Sequence, residues 1–359
     1  REMRTKSKRI IFIFLVMLIA IFLFAIPAQA VYLNDISGNW AEKSIAELAK
    51  KQIITGYPDG SFRPYRLITR AEFAKLVAIA FNIPPSDQKL FPDTINHWAR
   101  GYISGLASRN LIKGYPNGYF YPEQLLSRAE ITAILMCVKK LVTGDEKFIE
   151  GLEPSFSDLA AGHWAYNAVE LAKHLEVLPP QWAVNFQPSK AVTRSEAAWS
   201  LYKILSLKII KGTINAINLP GNTIMIKNQK EVQTIPVVFP AIIVRNNVSS
   251  SLDKLQINDE VMLVCDNNEE TKYIKASGLI TKNDLLSRLS ILFKNKVTPE
   301  QIAAAANGDW SGIQAQLKGD LYNSLIEMGL SPSEAEGLLL ADWESLGTLS
   351  QERLAQALS

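Results

Sequence analysis

Residues 35–72, DISGNWAEKSIAELAKKQIITGYPDGSFRPYRLITRAE, return twice more before residue 200, and this triplication limits the fold more than any other feature. A unit this short cannot bury its apolar face alone, so the copies must share one core. Trp40, Trp98 and Trp164 set the register. Each follows an aspartate (Asp35, Asp93, Asp158) and precedes an apolar residue five positions on (Ile45, Ile103, Val169). Phe62, Phe120 and Phe186 come next, each with a proline two residues later (Pro64, Pro122, Pro188). Every copy closes on one signature: Thr69-Arg70-Ala71-Glu72, Ser127-Arg128-Ala129-Glu130, Thr193-Arg194-Ser195-Glu196.

Within a copy the pattern reads helix, loop, helix. Ala41, Ile45, Leu48 and Ala49 recur at helical spacing, and the pattern stops before Gly56, Pro58 and Gly60. The closing signature predicts a capping box, in which Thr69 accepts from the Glu72 N–H while the Glu72 carboxylate reaches back to the Thr69 N–H. Phe73, Val77 and Ala80 then match Ile131, Leu135 and Val138, and Ala197, Leu201 and Ile204. Three equivalent apolar stripes can be buried together.

The arginines Arg70, Arg128 and Arg194 occupy the first helical position, where the macrodipole disfavours a cation by about 0.3–1 kcal/mol. A triplicated cation there needs another reason. A helix N-terminus offers free N–H groups to an anion, and a guanidinium beside it adds a planar fork that fits a carboxylate. The competing reading is structural: a bridge to Asp35, Asp93 and Asp158, or a cap on a neighbouring helix end. Trp40, Trp98 and Trp164 are candidates to stack on a sugar ring, with buried packing as the alternative. Gly56 and Gly114 could admit a ligand to the backbone or take positive φ, and Tyr57 and Tyr115 add hydroxyls nearby. His97 and His163, like Asn39, look like helix-start residues. With no nucleophile motif or paired acids beside the histidines, no catalytic apparatus, metal site or cofactor is expected.

Landmarks in this order and in triplicate resemble the S-layer homology (SLH) repeat family over about residues 31–206. The resemblance implies an all-α, pseudo-threefold, three-pronged module around a central three-helix bundle. It also implies noncovalent anchoring of a secreted protein to the bacterial cell wall through secondary cell-wall polysaccharide, commonly at pyruvylated sugars and in association with peptidoglycan. The glycan-binding candidates are then Arg70, Arg128, Arg194, Trp40, Trp98, Trp164, Gly56, Gly114, Tyr57, Tyr115, Asp35, Asp93 and Asp158. The third copy departs from the pattern: Gly56-Tyr57-Pro58-Asp59-Gly60 and Gly114-Tyr115-Pro116-Asn117-Gly118 correspond to Pro180-Gln181-Trp182-Ala183-Val184. Proline lacks an N–H and a β-branched residue fits a glycine position poorly, so the third groove, assigned to Arg194, is expected to be impaired.

The expected organisation is a leader (1–30), SLH repeats at 31–86, 87–150 and 151–206, a small β domain (207–280) and a helical domain (281–359). Residues 1–9 are basic, Ile10 to Ile26 is unbroken apolar sequence, and Ala28-Gln29-Ala30 is an A-x-A signature. This reads as a secretory signal peptide, with a retained anchor as the alternative. The leader carries a net +4 and the rest of the chain a net −1, which together give the formal charge of +3, so nothing points to nucleic acid. Short β-rich runs around Pro220-Gly221-Asn222 and Asp266-Asn267-Asn268 predict an antiparallel barrel or sandwich of five or six strands. It resembles, weakly, the small β-barrels found beside SLH repeats. Thr298-Pro299 and Ser331-Pro332 open helices in a second repeat, offset by 33 residues, that predicts an all-α tail of two related hairpins with Trp310 and Trp343 as packing anchors. That domain is a candidate to contact a protein partner. Cys137 and Cys265 lie in different expected domains and form no expected disulfide. A wall-anchored enzyme with activity in 207–359 and an S-layer structural subunit are the rival readings, and a non-enzymatic anchor is the one preferred.

Overall fold

In a computed structural model the described residues are 33–142, 154–229, 231–246, 248–278, 297–306, 309, 311–312, 315–327 and 331–339. The leader at 1–30, the tryptophans Trp310 and Trp343, and most of the connections expected between the C-terminal helices lie outside them.

Each repeat supplies two helices. These are α1 (Glu42–Lys50) and α2 (Arg70–Ala80), α3 (Arg100–Ala107) and α4 (Arg128–Val138), and α5 (Tyr166–His174) and α6 (Arg194–Ser206). The three second helices begin at complete capping boxes, with Thr69, Ser127 and Thr193 accepting from Glu72, Glu130 and Glu196. Asn39, His97 and His163 occupy equivalent places at the starts of the first helices, each accepting an N–H from two residues on (Ala41, Ala99, Ala165). The second helices bury the three apolar stripes, including Phe73, Val77, Ile131, Leu135, Ala197 and Leu201, in one core.

The repeats close into a ring. The Ile68 N–H donates to the Val192 carbonyl, Val192 N–H to Leu126, and Leu126 N–H to Ile68, at 2.9–3.0 Å. Helix contacts follow the same cycle: α2 packs on α3, α4 on α5, and α6 on α1. Each second helix therefore lies against the first helix of the next repeat, and the third repeat returns to the first.

The β segment differs from the expected antiparallel barrel or sandwich. Strands β1 (Lys208–Asn218), β2 (Thr223–Lys227), β3 (Val232–Arg245), β5 (Glu260–Cys265) and β6 (Thr271–Ser277) form a closed five-strand barrel in the cyclic order β1-β2-β3-β6-β5, with β4 (Val248–Ser250) attached to the end of β3. Closure requires β3 and β6 to pair in parallel, from Val237–Thr271 to Arg245–Ala276. That ladder is interrupted between Val237 and Ile242, where Pro240 has no N–H to give. The interior is aliphatic, with Ile214, Ile224, Ile226, Ile235, Leu263 and Ile274 buried. Gly212 lets β1 pass close to β2, because a Cβ there would stand 2.5 Å from the Lys227 carbonyl oxygen.

The barrel is docked on the helices: Val244, Val264 and Tyr273 belong to the same buried cluster as the repeats. His174 at the end of α5 lies there, its Nε2 3.2 Å from the Ile242 nitrogen and 3.0 Å from the Lys272 carbonyl oxygen. Beyond the barrel, the expected all-α domain is not established. Three helices are described, α7 (Pro299–Ala306), α8 (Ala315–Glu327) and α9 (Pro332–Leu339), of which α8 and α9 touch. The pair of matching hairpins read from the 33-residue offset falls largely on residues outside the described set. Among the described residues no helix is long and apolar enough to cross a membrane.

Candidate functional site

The three arginines meet the loops of the following repeats. Arg70 Nε donates to the Phe120 carbonyl (2.9 Å), an Arg128 terminal nitrogen to that of Phe186 (2.9 Å), and Arg194 Nε to that of Phe62 (2.8 Å). The aspartates hold the same loops from within each repeat. Asp35 accepts from the Phe62 and Arg63 N–H groups, Asp93 from Phe120 and Tyr121, and Asp158 from Phe186 and Gln187. Both oxygens of each carboxylate are thus engaged by backbone. Neither alternative weighed for the arginines describes this geometry, since they bind loop carbonyls rather than the repeat aspartates.

Because arginine and loop come from different repeats, the altered loop of the third copy faces Arg128 and not Arg194. This corrects the expected location of the impaired groove. Pro180–Trp182 forms a 3-10 turn that buries the Trp182 ring completely under the Arg128 guanidinium, 4.5 Å from the ring centroid. The Trp182 indole N–H donates to Glu196 at 2.7 Å. In the second copy the Tyr115 hydroxyl makes the corresponding bond to Glu130, also at 2.7 Å. A larger ring has taken the place of the tyrosine and filled the junction.

The three junctions consequently differ in charge. Arg70 is fully engaged, with Glu130 at 2.7 Å and the Lys113 carbonyl at 3.2 Å in addition to Phe120. Arg128 is 4% exposed, with Glu196 at 3.7 Å; burial lowers its pKa, opposed by Glu196 and Asp158. Arg194 is half-buried, and among the described residues its terminal nitrogens have no hydrogen-bond partner. Arg63, Arg194 and Arg66 surround the Tyr57 ring at 4.0, 5.0 and 5.7 Å. Burial lowers the Arg194 pKa; Tyr57 and Glu72 oppose this, while Arg66 and Arg63 add to it. An anion entering that junction would meet Arg194, which has no carboxylate in ion-pair contact among the described residues, while Arg63 and Arg66 are already paired with Asp59 and Glu72. Arg63 and Arg66 were not read as site residues from the sequence, though their basic character inside the loop was visible.

The other candidates divide. Trp40, Trp98 and Trp164 are 40, 55 and 67% exposed, which leaves ring surface free instead of buried in packing. Gly56 and Gly114 do not take positive φ; a Cβ there would strike Leu33 or Phe91 at 2.6 or 2.5 Å, so they are packing glycines. Positive φ falls on Gly60 and Gly118 instead, at 78° and 83°. Among the described residues no group of histidine, cysteine and carboxylate side chains could hold a metal ion.

A family model for the S-layer homology domain matches residues 33–74, 90–132 and 155–198, one match per structural repeat. The chain carries three S-layer homology domains. It is 34% identical to cell surface glycoprotein 1 of Acetivibrio thermocellus across 169 residues, which are 44% of this chain and 7% of that protein. It is 33% identical to an S-layer protein of Bacillus licheniformis across 164 residues, 45% of this chain and 18% of the other. A cellulosome-anchoring protein of Acetivibrio thermocellus matches at 34% over 139 residues, 36% of this chain and 30% of the relative. The chain therefore spans less than a third of the length of these relatives. Others that match at comparable length are named as enzymes, so the likeness carries no statement about this chain's activity.

Proposed function

We propose that the protein is a noncovalent anchor at the bacterial cell surface, in which the SLH domains bind an acidic secondary cell-wall polysaccharide and hold the barrel and the C-terminal helices at the wall. The observation that carries this reading is the Arg194 guanidinium, open at its terminal nitrogens and grouped with Arg63 and Arg66 around Tyr57. Planar carboxylates such as the pyruvyl ketals of wall sugars suit that fork. Arg70 with Tyr115 offers a weaker site, its charge already met by Glu130, and the Arg128 junction is closed by Trp182. Trp40, Trp98 and Trp164 supply exposed aromatic faces for sugar rings. Asp35, Asp93, Asp158, Gly56 and Gly114 serve by shaping the loops. Linked sites of unequal strength still raise overall attachment through effective concentration.

The test is co-sedimentation of the full chain with purified wall sacculi before and after chemical removal of the secondary polysaccharide. Attachment should vanish with the polysaccharide. Undiminished pelleting on stripped sacculi would mean that the glycan is not the ligand.

A further inference from the structure

The threefold repeat acts as an internal control, and against it one place in the third repeat stands apart. A pocket of 230 Å³ lies between α5, the 178–183 segment and α6. Its floor is the buried rings of Phe156 and Trp182, one wall is the half-buried Trp199, and its rim carries Lys173, Glu176 and Lys203. Three of these residues occur in no other copy. Trp199 corresponds to Lys75 and Ala133, Lys173 to Ala49 and Ala107, and Lys203 to Ile79 and Cys137. None of the arginines of the three junctions lines it.

The polar groups around it are incompletely used. The indole N–H of Trp199 is buried with no hydrogen-bond partner among the described residues. The Trp199 ring is fixed against Trp40 at 5.4 Å. Lys203 stands 5.6 Å from the Trp199 ring centre and 3.5 Å from Glu176, and Lys173 stands 5.5 Å from the Phe156 ring centre. Two cations with one carboxylate leave the rim positive. The volume falls below the roughly 300–1,000 Å³ of drug-sized sites, which suits a single ring.

We propose that this pocket binds one acidic sugar residue. The ammonium groups of Lys173 and Lys203 attract its carboxylate, the Trp199 ring offers a face to the sugar, and Glu176 accepts from a hydroxyl. A simple aliphatic or aromatic carboxylate fits less well, since it has no hydroxyl to offer Glu176 and would be repelled by it. The third repeat has thus lost the open loop of one arginine junction and gained a different site that Trp182 also lines.

Glucuronate serves as the probe, titrated into the full chain and followed by saturation-transfer NMR and tryptophan fluorescence, with glucose and acetate as controls. Saturable binding of glucuronate is expected, with glucose and acetate each weaker by about tenfold or more, the size of one lost charge-assisted or hydroxyl contact. The surface double variant Lys173→Gln/Lys203→Gln should lose about tenfold in affinity with unchanged helical content. Trp199→Ala, which removes the lining ring, should weaken binding, with helical content showing that the module remains folded. The proposal is overturned by absence of saturable binding, by equal affinity for glucose or acetate, or by an unaltered affinity in both variants. Loss of the glucuronate signal in Arg194→Ala would also overturn it, because the sugar would then be occupying the arginine junction. Neither result bears on sedimentation with sacculi, so the failure of this site and the failure of the wall-anchor reading are separable.

Discussion

Arg194 donates its Nε–H to the carbonyl oxygen of Phe62 at 2.8 Å, across 132 residues of sequence, and this bond joins the last repeat to the first. It is one of three equivalent clasps, and it is the one whose two terminal guanidinium nitrogens have no hydrogen-bond partner among the described residues, whereas in Arg128 it is the buried Nε that lacks one. A residue that closes the ring therefore also faces outward with a charge to offer.

Removing that charge should impair attachment most. Arg194→Ala is expected to weaken binding of isolated wall polysaccharide by about tenfold or more, the size of a lost charge-assisted contact. Arg128→Ala should change affinity little and stability more, because its partner is the buried Trp182 ring. Calorimetric titration of both variants is the check, and a larger affinity loss for Arg128→Ala would refute the ordering of the junctions.

Trp182 should behave as a core residue. It is fully buried, packs edge-on against Phe186 at 5.9 Å and bonds Glu196. Trp182→Ala is expected to cost about 3–5 kcal/mol, read from denaturant unfolding of the helical module. A cost under about 1 kcal/mol, the size of a change at an uncommitted surface position, would contradict the packing described.

The barrel holds a buried ion pair whose two halves should not be separable. Arg245 Nε and a terminal nitrogen donate to Asp259 at 2.7 and 2.9 Å, and Asp259 also accepts the Gln256 N–H at 2.9 Å. Both side chains are at most 2% exposed. Asp259→Ala leaves a buried cation and is expected to destabilise the barrel by about 3–5 kcal/mol. Loss of the β signal in circular dichroism at lower urea concentration is the readout.

The docking of barrel on helices should weaken in acid. Burial pushes the His174 pKa below its ordinary 6.5, with the Lys272 ammonium acting in the same direction, and the neutral ring can accept the Ile242 N–H. A base depressed in the folded state contributes no penalty above its unfolded pKa and loses stability as pH falls below it. Thermal stability should therefore drop from about pH 6.5 downward, and His174→Gln should flatten that part of the profile. An identical slope in the variant would place the acid sensitivity elsewhere.

Much of this was legible in the chain because it is local or periodic. The capping boxes at Thr69, Ser127 and Thr193 follow from residues three apart, and the apolar stripes from Phe73 or Ile131 onward follow from helical spacing, so the sequence alone determined three helix pairs and their family. Triplication even implied a shared core. What it could not carry was partnership between distant residues. Each arginine aligns with its own repeat's loop in the sequence, yet the ring sets it against the next one, and that shift of one repeat moved the closed junction from Arg194 to Arg128. The strands of the barrel were likewise visible as β-rich runs, but their order was not: a parallel β3–β6 pair depends on which edges remain open after β1, β2 and β5 have joined. Those outcomes are decided by closure, which satisfies the last free backbone groups and buries the last apolar faces, and no single segment contains the information for it.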